Sequence, residues 1–149
     1  MLLLNNIISV RSEHMTECSE LYIKVFNAEP WNDGWTLETS HKRLNDIYIS
    51  PNFVGALYVE DDEVKGAIFG NYEQFYEGIH YNLREMFISN EIQGKGIGSK
   101  LLSELELRLK KIDVTTIILF TSKGNETSKF YIKNRFLEWD SMAMMGKDI

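Results

Sequence analysis

Hydrophobic positions along this chain recur with two different periods, and the changes of period mark its elements. In the first third, apolar residues return at helical spacing in two segments, the second of which Thr36 caps. A short strand is predicted before these helices, at residues 6–10. Residues 53–72 then alternate with the period of two that is typical of strands, around a charged turn at residues 60–63, which predicts a hairpin.

The second half of the chain alternates strands and helices. A strand predicted over residues 79–88 leads to a strongly amphipathic helix over residues 99–111. The β-branched residues at 115–121 predict a buried strand that runs parallel to its neighbour. A short helix at residues 127–134 and a last strand at residues 137–145 follow. This order of elements predicts a mixed α/β sheet.

Composition narrows the class of protein. The chain has 149 residues, of which 44% are hydrophobic and 26% charged, as expected for one globular domain over residues 1–149. The formal net charge of −6 disfavours nucleic acid or an anionic membrane as a partner, and no apolar run is long enough to span a membrane. The apolar residues 1–4 are too few for a secretion signal, and the lone Cys18 fits a reducing compartment, so a cytoplasmic location is predicted. The three histidines lack metal-binding spacing, and no metal is expected.

The most informative segment is a strand, a glycine loop and a helix in direct succession. Gly94, Gly96 and Gly98 stand at alternate positions, where the lack of a side chain lets the backbone turn tightly and approach a ligand. The helix that follows points its unpaired N–H groups and the positive end of its dipole at the loop, which predicts a phosphate or pyrophosphate site. Two phosphate-binding patterns fit poorly, because a P-loop needs a different lysine position and a dinucleotide fingerprint needs glycine where Ser99 stands.

A third pattern fits the loop at every fixed position, that of the acetyl-coenzyme A loop in the Gcn5-related N-acetyltransferase (GNAT) family. The residues that fit are Gln93, Gly94, Lys95, Gly96, Ile97 and Gly98. The chain also resembles this family at residues 83–88, which look like its central strand, and at residues 122–136, which look like its second signature. That signature departs from the family in two places: Arg135 replaces the usual glycine, and the usual Asn falls on Gly124, one residue before Asn125.

The resemblance implies a fold, a cofactor and a set of binding residues. The implied fold is a single acyl-CoA N-acyltransferase (GNAT) domain, with a mixed, mostly antiparallel sheet of six to seven strands, about four flanking helices and splayed central strands. Acetyl-CoA would place its pyrophosphate on backbone N–H groups of the loop and its pantetheine arm along the central strand, in the manner of an added strand. The residues in contact with it would be Met86, Phe87, Ile88, Gln93, Gly94, Lys95, Gly96, Ile97, Gly98, Ser99, Asn125 and Ser128.

Two residues are candidates for the catalytic acid and base. The resemblance puts Tyr131 at the family's general-acid position, from which a phenol can donate a proton to a leaving thiolate. The alternative is that Tyr131 is a half-buried aromatic beside Phe130. Glu85 is a carboxylate in an otherwise apolar strand, where burial would raise its pKa and let it accept a proton from an ammonium group, directly or through a water. The alternative is an ion pair with Arg84 or a neighbouring strand, and a bulge would change the face that Glu85 occupies.

The connection between the first two helices is the candidate acceptor site, since in the family this connection lies over the acceptor pocket. Trp31 offers an aromatic face, and Glu29 and Asp33 offer carboxylates, a combination that suits a cation. The alternative is that Trp31 and Trp35 pack the helix junction while the acids face water.

The sequence therefore predicts an acetyl-CoA-dependent N-acetyltransferase that acts on a primary amine by direct attack in a ternary complex. The loop residues favour a small polar or cationic amine, and the resemblance extends to the aminoglycoside-type acetyltransferases. The alternatives are a protein or peptide acetyltransferase acting on an N-terminus or a lysine, an acyl-CoA-binding sensor without turnover, and a nucleotide-binding half-domain. Homodimers are common among proteins of this kind, and a homodimer is compatible with the prediction.

Overall fold

The computed structural model describes residues 6–149, so the apolar residues 1–4 lie outside the described part of the chain. The chain forms two compact units, one ending at Ile118 and one of Leu119–Ile149. The strands are β1 (Ile7–Ser9), β2 (Phe53–Glu60), β3 (Glu63–Phe75), β4 (Gly78–Ile88) and β5 (Val114–Ile118), and the helices are α1 (Met15–Phe26), α2 (Leu37–Tyr48), α3 (Ile97–Lys110) and α4 (Glu126–Lys133). The predicted mixed α/β fold and its helices are confirmed.

The first unit is built on a sheet whose spatial order follows the chain, β1-β2-β3-β4-β5. The first four strands pair antiparallel, and β5 pairs parallel with β4. The turn between β2 and β3 explains the predicted hairpin, because Asp61 and Asp62 both adopt positive φ, of 53° and 62°. Two successive positive φ values give the tight turn whose twist matches that of the flanking strands.

Helices cover both faces of the sheet. Helices α1 and α2 share one buried apolar cluster with Ala67 and Phe69 of β3 and with Phe87 of β4. Helix α3 lies on the opposite face, where a Cβ at Gly66 would lie 3.3 Å from the Leu101 side chain. Gly66 and Ala67 are neighbours on β3 and therefore point to opposite faces of the sheet. Gly66 faces α3, and Ala67 faces α1 and α2.

A β-bulge divides β4 into two halves. Phe69 of β3 stands opposite Glu85, but the next residue, Gly70, stands opposite Leu83, so Arg84 is the extra residue. A bulge reverses the alternation of a strand beyond it. Glu85 therefore faces the layer of α1 and α2, together with Phe69, while the half of β4 before the bulge alternates in the opposite phase.

The parallel ladder between β4 and β5 is shorter than β4 itself. Its last pair is Asn82 with Ile118, whereas β4 continues to Ile88. The ladder stops where β5 ends, so residues 83–88 of β4 have no partner in β5. The splay of the central strands that the family resemblance implied stays a prediction.

The number of strands differs from the prediction of six to seven. Five strands form the sheet of the described residues, and residues 137–145, predicted as a last strand, form no strand. The only regular feature there is a turn in which Met142 N donates to Trp139 O at 3.1 Å. The alternating apolar pattern of this segment is compatible with a strand, but a strand exists only where another backbone pairs with it. Within residues 6–149, no helix combines the length and apolar character needed to cross a membrane.

We expect Gly70→Ala to destabilise the protein by about 1–3 kcal/mol, since added volume at a tightly packed position forces the backbone or its neighbours to shift. A Cβ at Gly70 would overlap the carbonyl oxygen of Asn82 and the ring of Tyr81. Gly34→Ala is the matched control, because a Cβ there meets nothing within 4 Å. Urea unfolding should show the loss for Gly70→Ala only, and equal stability of the two variants would contradict the packing at the bulge.

Candidate functional site

The glycine loop is anchored at its beginning by hydrogen bonds to β3. Ser89 N donates to Lys65 O at 2.7 Å, directly after β4 ends. The Lys65 ammonium in turn pairs with Glu91 Oε2 at 2.8 Å and with Glu63 Oε2 at 3.0 Å. The chain therefore enters the loop from a fixed position.

Gln93 closes the loop with its side chain. Its Nε2 donates to Ile88 O at 3.0 Å and to Asn90 Oδ1 at 2.9 Å. The Gln93 amide thus bonds the loop to the end of the strand that precedes it. This contact gives the first residue of the glycine pattern a structural role.

The two glycines at the tip of the loop have backbone conformations that side chains disfavour. Gly94 and Gly96 adopt φ values of 78° and 79°, and a Cβ built on either would meet nothing within 4 Å. The space beside them is therefore open to a ligand, while the left-handed backbone favours glycine. Lys95, between them, is exposed.

Helix α3 begins at Ile97 without a side-chain cap, because its N-cap residue is Gly96. The first-turn N–H groups of a helix have no acceptor within it, so those of Ile97, Gly98 and Ser99 face the loop. With the positive end of the helix dipole, they form a cradle that suits an anionic oxygen. The structure thus brings the predicted loop residues together in one place.

Glu85 lies in a partly buried polar cluster with two residues of the helices. Its Oε1 accepts a hydrogen bond from Arg43 Nη2 of α2 at 3.1 Å, and its side chain is 14% exposed. Tyr22 of α1 lies close enough to the same carboxylate to lower its pKa. Burial raises the pKa of the Glu85 carboxyl, and the Arg43 charge and the neighbouring Tyr22 oppose that rise. Burial and the Glu85 charge raise the pKa of Tyr22, which keeps its hydroxyl protonated.

The sequence identified Glu85 but neither of its partners. An ion pair with Arg84 or with a neighbouring strand was the expected alternative, whereas the partner Arg43 comes from α2, 42 residues earlier. Arg84 is the bulged residue and is exposed. The one available signal was that Arg43 and Leu44 are neighbours on α2, so an arginine lies at the margin of that helix's buried face.

Aromatic rings connect the acceptor loop to β4. The ring of Trp31 lies 5.2 Å from that of Phe26, which lies 6.2 Å from Phe87. Tyr22 packs against both Phe87 and Trp35, with ring centroids 5.2 Å and 5.0 Å away. Trp31, at the outer end, is 38% exposed. These contacts form a continuous aromatic wall that leads from the surface towards Glu85.

The acceptor loop is held closed at its base. Asn27 and Trp35 exchange two hydrogen bonds of 2.9 Å between the Asn27 amide and the Trp35 backbone. Trp35 Nε1 donates to Asp33 Oδ2 at 3.1 Å, so Trp35 packs the helix junction and also orients the Asp33 carboxylate. Glu29 is exposed. Of the three predicted acceptor residues, Trp31 belongs to the aromatic wall and the two acids lie at the surface beside it in sequence.

The three predicted contacts on β4 lie beyond the end of the β4–β5 ladder. Met86 stands opposite Ile68, and Phe87 opposite Ala67. The Phe87 side chain is 2% exposed and packs in the apolar core, so only its backbone is placed to meet a ligand. The Ile88 carbonyl accepts from Gln93.

In the second unit, Asn125 and Ser128 form the N-terminal cap of α4. Asn125 Oδ1 accepts from Ser128 N at 2.8 Å, and Ser128 Oγ donates to Asn125 O at 3.1 Å. Both side chains were predicted to contact the cofactor. Their described hydrogen bonds stabilise the start of the helix, which is the ordinary work of Asn and Ser at this position.

Tyr131 is fixed by the C-terminal cap of α4. Its ring packs against Phe130 and Phe136, each at 5.2 Å. Phe136 N donates to Tyr131 O and Arg135 N donates to Ile132 O, both at 3.0 Å. Arg135 has a φ of 70°, the left-handed conformation that this type of cap requires. The position at which the family has glycine therefore needs that conformation, and here an arginine adopts it.

Comparisons with known proteins identify the family and the fold. The model of the acetyltransferase (GNAT) family matches residues 14–136. No curated protein matches the sequence. Among solved structures, a possible acetyltransferase from Clostridium difficile 630 is similar, with a TM-score of 0.80, 16% identity and 96% of each chain covered.

Two further solved structures share the fold. An aminoglycoside acetyltransferase from an uncultured soil metagenomic sample, in complex with sisomicin, has a TM-score of 0.71 and 12% identity, with 96% of this chain and 94% of that one covered. A ribosomal-protein-alanine N-acetyltransferase from Brucella melitensis has a TM-score of 0.75 and 10% identity, with 95% and 98% covered.

We expect Arg135→Gly to be more stable than Arg135→Ala by about 1 kcal/mol, since the left-handed conformation costs a side chain with a Cβ roughly that amount. Both variants remove the charge, so their difference isolates the backbone effect. Urea unfolding followed through Trp fluorescence would measure it. Equal midpoints for the two variants would contradict a left-handed residue at the end of α4.

Proposed function

This chain belongs to the acetyltransferase (GNAT) family, and we propose that it transfers the acetyl group of acetyl-CoA to a primary amine of a small polar or cationic molecule. Family membership makes it an acyltransferase. The proposal adds the kind of acceptor and the residues that act.

The observation that carries the proposal is the open glycine loop at the start of α3. Gly94 and Gly96 have positive φ, and nothing occupies the space where a Cβ would lie. No side chain caps the helix there. A pyrophosphate fits such a cradle, because its oxygens accept hydrogen bonds from backbone N–H groups and its charge meets the positive end of the helix.

Acetyl-CoA, when bound, supplies the acetyl group as a thioester. We assign its pyrophosphate to the backbone of Gln93, Gly94, Lys95, Gly96, Ile97, Gly98 and Ser99. We assign its pantetheine arm to the backbone of Met86, Phe87 and Ile88, in support of which the ladder with β5 ends at Asn82. We also propose that Asn125 and Ser128 contact the cofactor, through side-chain polar atoms that do not take part in capping α4.

The chemistry requires a neutral amine and a protonated leaving group. We assign Glu85 as the base that takes a proton from the acceptor ammonium, since its carboxylate is ionisable and mostly shielded from water. We assign Tyr131 as the acid that donates a proton to the departing sulfur. Two observations support Tyr131. It matches the family's general-acid position in sequence, and its ring packs against the residues of the C-terminal cap of α4.

The aromatic wall and the acids of its loop support the proposed class of acceptor. Aromatic faces attract cations, and the exposed carboxylates of Glu29 and Asp33 add negative charge near Trp31. A small cationic amine would be drawn to such a surface. We retain a single domain, a cytoplasmic location and compatibility with a homodimer as parts of the same proposal.

We expect acetyl-CoA to bind with a micromolar dissociation constant and Gly96→Glu to abolish that binding. A glutamate would strain the left-handed backbone and place a carboxylate where the anion should lie. Isothermal titration calorimetry measures both proteins. Gly146→Glu is the matched control, because it makes the same substitution at an open position in the C-terminal segment.

Absence of binding to the wild-type protein would refute the cofactor assignment and with it acetyl transfer. After binding is shown, thiol release in the presence of acetyl-CoA would be measured against polyamines and amino sugars, and separately against peptides with free N-termini. Turnover of peptides alone would replace the small-molecule acceptor with a protein one.

We expect Tyr131→Phe to lower kcat by about 100-fold or more with little change in KM, since a positioned proton donor typically contributes a factor of that size. The same single oxygen is removed by Tyr76→Phe at a residue that is 97% exposed, which makes it a suitable control. Steady-state kinetics with a responsive amine would measure both. A Tyr131→Phe variant with wild-type kcat would eliminate this residue as the acid.

A further inference from the structure

We propose that Arg43 is a positioning residue, which holds the Glu85 carboxylate in place and in its charged form, so that Glu85 can receive the proton of the acceptor amine. The inference rests on the proposed function, because it needs Glu85 to act as the base. It extends that function to two helix residues that the sequence pattern did not identify.

The geometry of the cluster supports this role. Arg43 Nη2 and Glu85 Oε1 are 3.1 Å apart, and the two side chains are 33% and 14% exposed. A carboxylate that is largely removed from water tends to take up a proton unless a positive charge and hydrogen bonds favour its charged form. Arg43 supplies both the charge and a hydrogen bond, and the neighbouring Tyr22 of α1 also lowers the pKa of Glu85.

The other groups around Glu85 do not replace Arg43. Arg84 is adjacent in sequence, but it is the exposed bulged residue, and its charge is the smallest of the influences that lower the pKa of Glu85. The β3 residue opposite Glu85 is Phe69, which does not titrate. On α1 the group in contact is Tyr22, and on α2 it is Arg43. Burial raises the pKa of Glu85, and the largest influence that lowers this pKa is therefore the charge of the Arg43 guanidinium.

The proposed step is a single proton transfer from the acceptor to Glu85. One N–H bond of the acceptor ammonium breaks, and its proton forms an O–H bond on the Glu85 carboxylate, which leaves a neutral amine. Arg43 keeps its proton throughout, because a guanidinium does not titrate in this range. Glu85 must therefore be ionised before each turnover, and removing Arg43 raises its pKa.

The pH dependence of kcat/KM tests the inference. We expect the acidic limb of the profile to move to higher pH in Arg43→Gln, with a loss of at least about tenfold on the acidic side that shrinks as the pH rises. Arg43→Lys retains the charge and should keep the limb near its wild-type position, even if Arg43→Gln folds poorly. Lys42→Gln is the matched control, since Lys42 is the next residue of α2, is 76% exposed and pairs with Asp46 instead.

A second readout does not depend on turnover. The carboxyl carbon of Glu85 can be titrated by NMR in protein carrying ¹³C-labelled glutamate, with the resonance assigned by its absence in Glu85→Gln. Its midpoint should rise in Arg43→Gln and stay unchanged in Lys42→Gln. An unchanged midpoint in Arg43→Gln would show that Arg43 does not stabilise the charged form of Glu85, and would overturn the inference.

The two readouts separate the failure of the inference from that of the proposed function. A midpoint that rises while the acidic limb stays fixed would show that Glu85 is not the group whose ionisation limits the reaction, and would overturn the role of Arg43 while leaving acetyl transfer intact. Binding of acetyl-CoA without turnover of any amine would refute the enzymatic function, and the inference would fall with it.

Discussion

The bulge at Arg84 is the constraint on which the arrangement of the first unit depends. Without it, Tyr81, Leu83, Glu85 and Phe87 would share one face of β4. The extra residue puts Glu85 and Phe87 on the side of α1 and α2, while Tyr81 packs beside Gly70 on the other side. Because of this one extra residue, the odd-numbered side chains of β4 before the bulge and those after it lie on opposite faces of the sheet. The bulge also directs Glu85, the one acidic residue of β4, towards two helices that can stabilise its charge.

Much of the fold could be predicted because it follows from local patterns. Thr36 was expected to cap α2, and its Oγ1 accepts from Thr39 N at 3.0 Å. The glycine loop was predictable for a similar reason, since closely spaced glycines before an amphipathic helix indicate both the turn and the exposed helix start. In each case the residues that specify the structure are neighbours in sequence.

The contacts that were missed join residues far apart in the chain. No local pattern pairs Arg43 with Glu85, because their proximity depends on how α2 packs across the sheet and on the bulge in β4. The last strand was wrongly predicted for the opposite reason. Its alternation of apolar residues is local, but pairing is not, and Leu137 and Met144 are 83% and 82% exposed. Asn125 matched the family pattern only approximately. Its side chain caps α4, and its contact with the cofactor stays a prediction.

The hydrogen bonds of Gln93 have a thermodynamic consequence. Its side chain bonds the loop to Ile88 and Asn90. Part of the conformational entropy that a flexible glycine-rich segment would lose on binding is therefore lost when the protein folds. The two glycines at the tip give the backbone its shape, and the glutamine limits the number of shapes it samples. A ligand that arrives at this loop meets a receptor that is already ordered.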